Sequence, residues 1–94
     1  CYVDNLNIAV NGCNDNKPYD QILNRAWTFR SIGYGHGAQV WKDIISALRL
    51  VGYDYVVSIE HEDALMSTDE GLAKGVAMLK QANIFEQPGE MFWA

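Results

Sequence analysis

An α/β architecture that cannot close on itself is what this sequence predicts, and three observations carry it. A helix-period stretch over 38–51 feeds an apolar, β-branched stretch over 55–60, and a second helical stretch follows over 68–82. Val56, Val57 and Ile59 lack the apolar/polar alternation of a half-exposed strand, so the strand expected there is covered on both faces. A single strand between two helices leaves open edges and a bare face. Partner strands must therefore come from upstream residues or from another chain.

Residues 1–37 are expected to be a long loop region. Asn5, Asn7, Asn11, Gly12, Asn14, Asp15 and Asn16 are turn-forming residues, and Asn11-Gly12 and Lys17-Pro18 punctuate the chain. Cys1-Tyr2-Val3 suits the tail of an earlier strand, and Asp20–Leu23 a short turn of helix. Trp27 and Phe29 are packing residues. Ser31-Ile32-Gly33-Tyr34-Gly35-His36-Gly37 has glycine at alternate positions, which lets backbone turn sharply or approach a ligand closely. Its spacing fits neither the dinucleotide fingerprint nor the phosphate loop. A ligand-facing loop and a plain lead into a helix both stay open.

Over 38–51, Trp41, Ile44, Ile45, Leu48 and Val51 share one helical face, with Lys42, Asp43, Ser46 and Arg49 opposite. Trp41 reads as core. Gly52 suits the left-handed residue that stops a helix. In the second helix Ser67 is the N-cap, Glu70 stands three residues on, and Asp69 lies in the acidic first turn. Leu72, Val76 and Leu79 form its buried stripe. Gly71 and Gly75 each cost the helix about 1 kcal/mol relative to Ala, so the pair implies a close approach to neighbouring backbone. The tail, 88–94, is aromatic enough to pack back.

The chain's 94 residues suit one small domain or a piece of a larger one. With net charge −5 and seven Lys and Arg, a nucleic-acid partner is not expected. No apolar run approaches a membrane span, so no membrane partner is expected either. Cys1 and Cys13 make no disulfide framework and no Cys-x-x-Cys pair; they read as free thiols in a reducing cytoplasm. The chain starts at Cys1 rather than Met, and a processed terminus or a start within a longer protein is expected.

The strand end carries the chemistry. Glu60-His61-Glu62-Asp63 places four groups that ionise or bind metal where a buried parallel strand delivers its functional side chains. Glu60 is the first candidate.

Phe29-Arg30-Ser31-Ile32-Gly33-Tyr34-Gly35-His36, Trp41, Ile45–Asp54 and Ser58-Ile59-Glu60-His61-Glu62-Asp63, in that order, resemble the C-terminal end of a sugar phosphate isomerase/epimerase of the xylose-isomerase-like TIM-barrel superfamily. The resemblance covers nearly the whole chain. It implies the last third of a (β/α)8 barrel of about 250 residues. Residues 1–37 would follow strand seven, 38–51 would be helix seven, 55–60 strand eight and 68–82 helix eight. It further implies a divalent metal (Mn, Mg, Co or Zn) held by two Glu, an Asp and a His, with Glu60 one ligand and also the base. The His-x-Lys-Asp-type motif that bears the His is absent, and the other three ligands are expected upstream of Cys1. Substrate contact is implied for Arg30 and, more loosely, for His36. The implied partner is a small sugar or sugar phosphate, and a homo-oligomer stays open.

Each candidate has a structural alternative. Glu60 would instead be salt-bridged to Arg30 or a lysine. Arg30 would sit in a structural ion pair, and His36 would cap the helix or be solvated. His61 and Glu62 cannot both reach one metal, because neighbouring strand residues point apart. Asp63 reads as a loop or cap residue, and Asp4 and Asp15 as ordinary loop residues. Two other functions stay open: a metal-dependent phosphodiesterase or endonuclease on the same barrel, and a non-catalytic binding or assembly module.

Overall fold

The computed structural model describes residues 2, 3, 5–12 and 15–93. Cys1, Cys13 and Asp4 lie outside these residues, and so do the expectations placed on them. In chain order the elements are β1 (Tyr2–Val3), α1 (Asn5–Asn11), a 3-10 turn (Ile22–Asn24), β2 (Trp27–Thr28), α2 (Ala38–Leu50) and α3 (Thr68–Ala82). β1 and β2 pair antiparallel, Tyr2 opposite Thr28 and Val3 opposite Trp27.

The amino-terminal third is therefore more ordered than its Asn-rich composition predicts. A helix, α1, runs through the asparagines, with Ala9 and Val10 exposed on it. It stops at Gly12, whose φ is +78° and whose N–H reaches the Ile8 carbonyl at 2.8 Å.

Both later helices end on local signals. After α2, Gly52 takes φ +76°; its N–H donates to the Arg49 carbonyl at 3.1 Å, and the Tyr53 N–H reaches back to Leu48 at 2.9 Å. This pair of bonds is a Schellman stop. At the start of α3, the Ser67 hydroxyl accepts from the Glu70 N–H at 3.2 Å. The Glu70 carboxylate pairs with Lys74 at 2.7 Å, one turn on.

Residues 55–60, expected as a covered strand, form no strand. A strand exists by its ladder, and no other segment among the described residues pairs with this one. The segment lies across α2 and α3 on one side only. Val57 and Ile59 line the space against Ile45, Leu48 and Leu79, while Val56 faces away and is 62% exposed. Its apolar character on both sides outruns the cover available. The tail differs from expectation for the same reason: Met91, Phe92 and Trp93 are exposed, and among the described residues the Phe92 and Trp93 rings meet edge to face.

Burial is correspondingly thin. Among the described residues Ala26, Ile45 and Ala82 are the buried apolar side chains. The surface is 7347 Å², whereas a compact monomer of this mass exposes about 5,500 Å². The radius of gyration, 16.6 Å, likewise exceeds the roughly 12 Å of a compact chain this long.

Candidate functional site

Arg30, His36 and Glu60 come from three separate stretches of sequence and line one cavity of about 240 Å³. Its wall is completed by Ser31, Tyr34 and Trp41, and its floor by apolar side chains of α2, α3 and the 57–59 segment. The glycine loop makes this possible. Gly33 and Gly35 take φ of +97° and +86°, which turns the chain sharply between Arg30 and α2. The Trp41 indole N–H donates to the His36 carbonyl at 3.2 Å, and the two rings meet edge to face. Trp41, expected as core, is thus half-buried and part of the cavity wall.

Glu60 makes no ion pair among the described residues, so the salt-bridged alternative does not describe it. It is exposed on the cavity side. Arg30 pairs instead with Asp63, Nε to Oδ2 at 3.1 Å. The ion-pair expectation for Arg30 therefore holds, and the same side chain also lines the cavity.

Asp63 does more than a loop residue. Its side chain is 1% exposed. Oδ2 also accepts from the Ser31 N–H at 2.8 Å, and Oδ1 from the Leu65 N–H at 2.8 Å. Burial pushes this carboxyl up, but the two backbone donors and the Arg30 charge outweigh it and leave it below the usual carboxylate range. Nothing local in the sequence links positions 31 and 63. The only available signal was an Asp two residues before Leu65, the spacing of an Asx turn.

His61 and Glu62 point to different places, as their adjacency requires. The His61 Nε2–H donates to the Met66 carbonyl at 3.1 Å, and Nδ1 lies 3.5 Å from the Ser31 hydroxyl. A carbonyl only accepts, so in the neutral ring Nδ1 is the acceptor. Glu62 lines a second, 90 Å³ cavity with Tyr19, Arg25, Phe29, Arg30 and Asp63.

Asp15 is a second structural carboxylate where an ordinary loop residue was expected. It accepts from the Lys17 N–H at 3.0 Å, the Lys17 ammonium at 3.2 Å and the Ala26 N–H at 2.7 Å. The Lys17 backbone bond leads in lowering its pKa to about 2, against the opposing effect of burial. Arg25, a residue the sequence does not single out, is 2% exposed. Its guanidinium sits 4.6 Å from the Tyr19 ring and 4.3 Å from Trp27, and it donates to the Lys17 and Trp27 carbonyls.

Among the described residues no three His, Cys, Asp or Glu side chains converge as a metal site. Glu60 is one carboxylate donor facing a cavity, so any further ligands to a metal there would come from outside the described residues. No helix among them is long and apolar enough to cross a membrane.

The chain is 40% identical over 73 residues, 78% of its length, to the uncharacterized protein YfiH of Bacillus subtilis. It spans about a quarter of that protein, 23%. No protein-family profile matches the chain. No solved structure matches it.

Proposed function

We propose that this chain is the carboxyl-terminal part of a barrel enzyme that isomerises or epimerises a sugar or sugar phosphate, with Glu60 as its base. One observation carries the reading: Arg30, His36 and Glu60, chosen from sequence for this chemistry, share one cavity. The surface in excess of a compact monomer and the 23% share of the longer relative support a larger parent.

In that parent, the Glu60 carboxylate takes the proton from the carbon beside the substrate carbonyl and returns it on the same face to the neighbouring carbon, which isomerises the sugar; epimerisation would need a second proton donor on the opposite face, from outside this chain. Electron density moves to the carbonyl oxygen, giving an ene-diolate. Arg30 donates from a fixed, permanently charged fork to substrate oxygens, and His36 sits within the same wall to meet a hydroxyl or phosphate. A divalent metal would supply Lewis-acid polarisation of the carbonyl. Glu60 is the ligand this chain offers, and the other three would come from outside it.

The test is Glu60→Gln in the polypeptide that carries this chain, measured on a panel of ketoses and ketose phosphates with Mn, Mg, Co and Zn. Turnover should fall by at least about a thousandfold, with the melting temperature unchanged. Wild-type turnover in that variant refutes the assignment.

A further inference from the structure

Each oxygen of the Asp63 carboxylate is already committed to backbone: Oδ2 to Ser31 N–H and Oδ1 to Leu65 N–H, both at 2.8 Å. The group therefore cannot rotate about its own axis. The Arg30 guanidinium meets it through Nε alone, at 3.1 Å. Its two terminal nitrogens donate no hydrogen bond among the described residues, and the side chain lines both the cavity of Glu60 and His36 and the smaller cavity of Glu62. An arginine side chain on a loop ordinarily samples many rotamers, at a cost to any ligand that must order it.

We propose that Asp63 is a positioning residue, holding Arg30 by its Nε edge so that the two terminal nitrogens form a preset fork for paired oxygens of one ligand. The role deepens the isomerase reading and rests on it for the ligand's identity. A guanidinium held on one edge presents parallel donors on the other, which matches a vicinal diol, a carboxylate or a phosphate better than a single hydroxyl. Asp63 touches no ligand. It acts through Arg30.

The test uses the full polypeptide that carries this chain. In a 1H–15N spectrum of arginine Nε–H groups, the Arg30 signal is assigned by its loss in Arg30→Lys. It should exchange with solvent at least about tenfold more slowly than an exposed arginine, and Asp63→Asn should abolish that protection. An Arg30 Nε–H that exchanges freely in the wild type overturns the clamp, whatever the turnover. In steady-state kinetics, Asp63→Asn should raise KM about tenfold with kcat little changed, the loss of one charge-assisted contact. In an Arg30→Lys background the same substitution should do nothing more to KM. Independent, additive losses, or a fall confined to kcat, overturn the positioning role. Should Asp63→Asn not fold, Arg30→Lys keeps both backbone bonds to Asp63 and must itself raise KM by that factor; an unchanged KM overturns the proposal. A protected Arg30 in a protein that turns over no ketose refutes the isomerase reading and upholds the clamp.

Discussion

At the scale of single residues, two buried carboxylates do the joining and an exposed one faces the cavity. Asp15 ties residue 17 to residue 26, Asp63 ties residues 31 and 65, and Glu60 is held by no ion pair among the described residues. Both buried groups titrate lower in the folded chain than in the unfolded one. Their stabilisation is therefore complete above the unfolded value, 3.8, and drains as pH falls through the folded value, about 2 for Asp15. Thermal melts stepped from about pH 5 to pH 2 should show the melting temperature dropping across that window. Asp15→Asn should melt lower at neutral pH and lose part of the acid slope. A slope identical to wild type would remove Asp15 from the account. Glu60 was legible in the sequence because it ends an apolar run. Asp63 was not, since its partners Arg30 and Ser31 lie 33 and 32 residues away, a separation that no local pattern spans.

At the scale of elements, the helices were legible because their stops are written locally. Ser67 with Glu70 and the Gly52 turn place the ends of α3 and α2 within a residue of expectation. Residues 55–60 form no strand among the described residues because β-branched composition states a preference, whereas a ladder needs a neighbour, and the partner strands expected for it lie outside this chain. The two glycines of α3 also refine the sequence reading, for what approaches them is side chains rather than backbone. A Cβ at Gly71 would run into the His61 ring and come within 2.9 Å of the Ser31 hydroxyl. A Cβ at Gly75 would meet Ile32 and Ile59 at an ordinary 3.6 Å. The same substitution should therefore have opposite signs. Gly71→Ala should destabilise by about 1–3 kcal/mol, as overpacking does. Gly75→Ala should be neutral or gain up to about 1 kcal/mol from helix propensity. Urea denaturation of both variants decides it, and equal effects would mean that the His61 contact does not constrain α3.

At the scale of the whole molecule, apolar surface without a cover is the dominant fact. Tyr55, Val57, Ile84 and Phe85 are exposed beside the groove between α2 and α3, and Val56 is exposed on the other side of its segment. This 94-residue chain on its own should bind an apolar dye such as ANS strongly and run as more than a monomer by light scattering. The polypeptide that carries it should bind the dye only weakly. A monodisperse, dye-silent monomer would show that the groove needs no partner.

The Asp63 clamp also has a topological side. By fastening residue 31 to residues 63 and 65, it turns the stretch holding α2 into a closed ring of chain, pinned where it leaves and where it returns. Lengthening such a ring is inexpensive, about 0.6 kcal/mol for each doubling. Residues spliced in at the exposed Asp54-Tyr55 bend should thus leave Arg30 where it is, whereas unfastening the ring frees both ends of the wall at once.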